Sequence, residues 1–197
     1  METTPLLGFL TVINHPSAGF VGGFLVLNPV GRPVEFHCTT SLKPNRAQEI
    51  LFGNALEPYL FGEQIAQTLV RKSQANIDFL FTDLPGVLAL QDFVEQPIIY
   101  VPHLDSASGR MGSGEHQHLF SRAEAPPKQY QPLRSVPGLS MTRWKETQIA
   151  DFPLWIPNDR NMEVSAISAR LTDCISFINF SEPFDRVRLA LEEAQKN

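Results

Sequence analysis

A break in composition restricts the possible folds more than any other feature of the sequence. Between Pro102 and Ser140, 15 of 39 residues are Pro, Gly or Ser, and no hydrophobic period survives. A packed helix or strand needs apolar side chains recurring at about 3.6 or 2 residues, so this stretch reads as a long loop or linker, of a length at which loops are functional or disordered. It separates a front part from a tail of 57 residues, which is too short to bury a substantial core alone. The expectation is an α+β core over 1–102, a Pro/Gly/Ser-rich loop over 103–140, and a helical C-terminal segment over 141–197 that packs on the core.

The rest of the composition is that of a globular protein: 43% of the 197 residues are hydrophobic and 19% charged. Collagen, coiled coil and wholesale disorder are excluded. A net charge of −5 is too mild to point to nucleic acid or a membrane. The longest apolar runs fall far short of the ~20 residues that cross a bilayer, and the acidic start Met1-Glu2 lacks the basic region of an export signal. Cys38 and Cys174 lie too far apart for a CxxC motif. Both are expected to be buried thiols of a cytoplasmic protein.

In the front part, three strands are predicted at Gly8 to Ile13, Phe20 to Leu27 and Pro33 to Thr39, with turns at Asn14-His15-Pro16-Ser17 and Asn28-Pro29-Val30-Gly31. An antiparallel three-stranded meander is the economical arrangement, leading an antiparallel sheet with helices on one face. In the third strand, Val34, Phe36 and Cys38 alternate with Glu35, His37 and Thr39, so an apolar face is expected to pack and a polar face to meet water or a site. Asn45 with Gln48 forms a capping box for a short helix ending at Gly53. A second helix is expected from Pro58, with Leu60, Phe61, Ile65 and Leu69 on one stripe and Arg71-Lys72 at its end. Strands at 77–82 and 97–101 flank an apolar segment, 87–95, that fits a helix. In the tail, helices are predicted around Val164, Ile167 and Leu171, and after Ser181, where Phe184, Val187, Leu191 and Ala194 share a stripe.

Candidate chemistry is sparse. The glycines of Gly19-Phe20-Val21-Gly22-Gly23 lead into a strand and lack the GxGxxG or Lys-Ser/Thr pattern of a phosphate loop, so they indicate close backbone approach. No cofactor motif is present, and no cofactor is expected. His37 and Cys38 are neighbours on a strand and point to opposite faces, which excludes a dyad. Glu35 and His37 share a face and could act as an acid/base pair, although a solvated or hydrogen-bonded polar sheet face is the favoured explanation, since any amphipathic strand shows such pairs by chance. Asp78 and Asp83 bracket a strand, where carboxylates of metal-dependent hydrolases are often held. His103, His116 and His118, with Asp105 and Glu115, supply enough ligands for zinc, but the glycine-rich setting offers nothing to fix them. Lys43 and Arg46 flank a helix start and could meet an anion.

From Ser106 to Lys145 there are six basic residues, Arg110, Arg122, Lys128, Arg134, Arg143 and Lys145, against two acidic ones, with Tyr130 and Trp144 among them. The expected function is a non-catalytic protein-interaction module whose basic loop orders on contact with a protein partner. The alternatives are a metal-dependent hydrolase or nucleotide-processing enzyme using Glu35, His37, Asp78 and Asp83, and weak nucleic-acid binding by the loop.

Overall fold

The computed structural model describes residues 5–15, 19–102, 143–149, 152–158, 163–174 and 179–195. Seven strands form one sheet in the order β3-β2-β1-β4-β5-β7-β6. They are β1 (Leu7–His15), β2 (Gly19–Leu27), β3 (Pro33–Cys38), β4 (Phe79–Thr82), β5 (Ile98–Tyr100), β6 (Trp144–Ile149) and β7 (Phe152–Pro157). The meander β1-β2-β3 is antiparallel as expected, but β4 and β5 run parallel to β1, so the sheet is mixed. The crossover from β3 to β4 carries the chain back over the sheet and makes that parallel pairing possible.

Helices lie on both faces, not one. On the first face lies a continuous helical stretch: α2 (Leu56–Pro58), a π-helical segment (Tyr59–Ala66) and α3 (Gln67–Lys72). Leu60, Ile65 and Leu69 there join Leu10, Phe24, Leu80 and Ile98 in one apolar cluster. On the other face α4 (Val164–Cys174) and α5 (Glu182–Ala194) place Ile167, Leu171, Phe184, Val187 and Leu191 against Leu7, Phe9, Phe81 and Ile99. Phenylalanines dominate there: Phe9 stacks on Phe81 at 5.0 Å between centroids and meets Phe184 edge-on at 5.5 Å.

Gly22 and Gly23 explain how two layers of helix fit so closely. A Cβ at Gly22 would lie 2.1 Å from Ile65 Cγ2, and one at Gly23 would lie 2.4 Å from Val187 Cγ1. Strand β2 is thus bare on both sides where the helices cross it.

Four further expectations are corrected. The segment expected as a helix over 87–95 is a 3-10 helix, Pro85–Asp92, whose Val87, Leu88 and Leu90 are buried. The apolar face of β3 does not pack: Val34 is 49% and Phe36 39% exposed, Cys38 is an exposed free thiol, and Glu35, His37 and Thr39 are half-buried instead. As the edge strand, β3 extends past the cover that α5 gives to β1 and β2. The tail is not only helical, since β6 and β7 form a hairpin that joins the sheet beside β5, Tyr100 pairing with Trp155. Residues 103–140 and the Cys174 side chain lie outside the described residues.

Candidate functional site

Parallel strands β1, β4 and β5 end at the same edge of the sheet, and the crevice outside such carboxyl ends is where open sheets of this kind hold ligands. A cavity of about 980 Å³ opens there. Its floor is Val12, Ile13 and Asn14 from the end of β1 and Leu84 just beyond β4. One wall is the helical stretch, with Glu57, Leu60 and Phe61, and Asn54 of the 3-10 turn Gly53–Ala55 just before it; the opposite wall is the first turns of α5, with Asp185 and Arg188. Phe20, from the start of β2, meets Phe61 edge-to-face at 5.1 Å. Phe61 and Leu60 belong to the π-helical segment, a wide-turn geometry that recurs at functional sites.

Arg188 carries the positive charge of the cavity. Its guanidinium pairs with Asp83, whose side chain is only 2% exposed, and reaches Asp185 Oδ1 at 3.3 Å. Asp83 follows the last residue of β4 and shares the α5 face with Phe81. The pairing of Leu10 with Thr82 sets Thr11 of β1 beside it. The Thr11 hydroxyl is buried with no hydrogen-bond partner among the described residues. A buried carboxylate needs a counter-charge, and the Arg188 guanidinium supplies it here.

The four catalytic candidates do not converge. Glu35 and His37 are together as the strand alternation requires, with His37 Nε2 3.0 Å from Glu35 Oε2. Glu35 also accepts hydrogen bonds from Ser73 Oγ at 2.7 Å and from the Gln74 amide at 3.3 Å. Those bonds, the serine first and the histidine next, hold the Glu35 carboxyl below the ordinary glutamate range. This cluster ties the edge strand to the end of α3 and faces away from the α5 side. Asp78 lies at the other end of β4 from Asp83, where it accepts from the Leu6 amide at 3.0 Å and from Arg170 at 2.9 Å. Among the described residues no three of His, Cys, Asp and Glu gather as a metal site.

Lys43 is exposed, and Arg46 is paired with Glu49 at 2.9 Å. The Gln48 amide at the third helical position already donates to Asn45 Oδ1 at 2.9 Å in the capping box, so it is not open to an anion. Of the expected partner-binding residues, Arg143 pairs with Asp92 and Trp144 is buried, its indole N–H donating to the Ile98 carbonyl at 3.2 Å, while Lys145 is exposed on β6. Arg110, Arg122, Lys128, Tyr130, Arg134, His103, His116 and His118 lie outside the described residues. Sequence reasoning missed Arg188, Glu57, Phe20 and Phe61 as a group. The signal was present only as Asp185 and Arg188 on one helical turn, and it acquires meaning once β1 and β4 are known to run parallel.

No protein-family model and no curated protein matches the chain. Among solved structures it is similar to human endonuclease V, at 13% identity and a TM-score of 0.48, over 97% of this chain and 84% of that one. It is also similar to the catalytic domain of the human enzyme, at 14% identity and a TM-score of 0.48, over 99% and 85%. A third is Ciona intestinalis endonuclease V in complex with a 24mer DNA containing an inosine followed by a ribo-adenosine, at 13% identity and 0.45, over 96% and 87%. Overlap at this level assigns no residue of this chain a role. The expectation of a protein-interaction module reached through the basic loop is corrected: Arg143 and Trp144, two of its proposed contacts, are engaged internally. No helix among the described residues is long and apolar enough to cross a membrane.

Proposed function

We propose that the chain is a nucleic-acid-processing protein that takes an unstacked nucleobase, with the phosphate attached to its nucleoside, into the cavity at the carboxyl ends of β1 and β4. The observation that carries this reading is the lining of that cavity. Phe20 and Phe61 offer π-faces, Leu60 and Leu84 extend the apolar surface, and the amides of Asn14 and Asn54 can donate to and accept from a base edge. Arg188, already paired with Asp83 and Asp185, is the cation lining the cavity that a phosphate oxygen would meet, and Glu57 is the carboxylate on the wall suited to accept a proton from an attacking water.

The charge balance favours recognition through the base first. Arg188 already serves Asp83 and Asp185, and Glu57 adds a further negative charge. Binding should therefore depend weakly on salt, unlike binding by a basic loop, whose affinity falls steeply as counterions compete. The test is fluorescence anisotropy with single-stranded oligonucleotides, paired with a cleavage assay with and without Mg²⁺. Phe61→Ala is expected to weaken binding by roughly tenfold, as for loss of one base–aromatic stack, and Glu57→Gln to reduce cleavage while leaving binding intact. Absence of binding by both oligonucleotides and nucleosides, in a folded protein, refutes the reading.

A further inference from the structure

A second cavity, of about 220 Å³, is lined by Pro58, Tyr59 and Glu63 from another stripe of the same helical stretch and by none of the residues that line the first. Its walls are aromatic. Phe52 and Tyr59 stack at 4.1 Å between centroids and 21° between planes, Phe93 stands 47% exposed, and Trp144 is fixed by its hydrogen bond to Ile98. Two carboxylates, Glu63 and Asp92, complete the lining. The chain places its own cation there: the Arg143 guanidinium lies 5.6 Å from the Trp144 ring centroid and pairs with Asp92.

Phe52, Tyr59, Phe93 and Trp144 line this small concavity with Glu63 and Asp92; ring faces attract positive charge and the carboxylates add to the field. The volume is below the ~300–1,000 Å³ of sites that enclose whole small molecules, so the cavity suits a head group. We infer that this cavity recognises a methylated ammonium group, with Arg143 acting as a tethered competitor. A methylated ammonium is bulky and weakly hydrated, and it fills an aromatic cage that a planar guanidinium covers along one wall only. Such a group arrives on a choline-type small molecule or on a methylated lysine side chain. Neither source touches the larger cavity, so this inference stands apart from the proposed function.

The test titrates the full chain with tetramethylammonium, with choline, and with a short peptide carrying trimethyl-lysine, at constant ionic strength, following the Trp144 indole N–H resonance. Saturable shifts are expected with at least one probe. Tighter binding of choline than of the peptide assigns a small-molecule source, and the reverse assigns a polypeptide one. Arg143→Gln should tighten binding by roughly fivefold by removing the competitor, and Phe93→Ala, a surface change that spares the fold, should weaken it by roughly the same factor. The inference is overturned by no saturable shift in either the parent protein or Arg143→Gln. It is overturned equally if sodium chloride alone reproduces the shifts, or if Phe93→Ala binds as the parent does.

Discussion

Glu35 gathers donors from three places, namely Ser73, His37 and the Gln74 amide, on a single carboxylate oxygen. These bonds favour its ionised form, so its carboxyl titrates lower in the folded chain than in the unfolded one, where a glutamate ionises near ~4.3. A depressed folded value means that the unfolded state binds the proton more readily. The stabilisation is therefore fully present above the unfolded value and is lost as pH falls through the folded one. The expected outcome is that the parent protein is more stable than Glu35→Gln at neutral pH and that the difference shrinks progressively below about pH 4. Urea unfolding of both proteins across that range checks it, and a gap that does not change with pH would show that the cluster acts by shape alone. At this scale the sequence was informative about the neighbours within a strand. The alternation that pairs Glu35 with His37 is local, whereas Ser73, 38 positions further on, is brought in by the helical crossover and leaves no local trace.

Elements differ in how far they are tied to the core, and α1 (Arg46–Phe52) and α5 mark the two extremes. The first has a complete capping box, with Asn45 Oδ1 accepting from the Gln48 amide at 2.9 Å and Gln48 Oε1 accepting from the Asn45 amide at 3.0 Å, yet it buries no residue. Its stability is therefore local. Asn45→Ala, which costs a helix about 1 kcal/mol, is expected to speed amide exchange within α1 roughly fivefold while leaving the global unfolding midpoint nearly unchanged. Hydrogen exchange and urea melts on the same variant separate the two effects, and an equal loss in both would show α1 to be part of the cooperative core. Capping is legible in sequence because donor, acceptor and spacing all lie within four residues. The same legibility holds for the Phe184, Val187 and Leu191 stripe of α5. It fails for Pro85–Asp92, an eight-residue element whose apolar positions satisfy several periods at once, and for the outward face of β3, since edge position depends on what the rest of the chain covers.

The molecule as a whole is held by a core cluster contributed in equal parts by the two ends of the chain. On the α5 face, nine buried residues from the front, including Leu7, Phe9, Leu27, Phe81 and Ile99, meet nine from the tail, including Leu154, Ile156, Leu171, Phe184 and Leu191. The Asp83–Arg188 pair and the bond from Trp144 to Ile98 cross the same divide. The parallel pairing of β1 with β4, which creates the edge where the larger cavity opens, could not be read from the sequence because strand direction is set by the path of the intervening helices. It is also why nothing in the sequence singled out Arg188. The composition break over 103–140 lies outside the described residues, and composition gives no measure of how much each side needs the other. Burial does: without the tail, one entire face of the sheet from β2 to β5 would be bare, and apolar patches beyond a few hundred Å² are unstable in isolation. A fragment ending at Pro102 is thus expected to remain molten or aggregated, while the full chain unfolds in one step, with indole fluorescence from Trp144 and Trp155 in the tail and far-ultraviolet circular dichroism giving coincident midpoints. Analytical ultracentrifugation and near-ultraviolet dichroism of the fragment supply the opposing result. A monomeric fragment with fixed aromatic signals would mean that the front part closes its own core and that the tail docks afterwards onto a surface already able to stand alone.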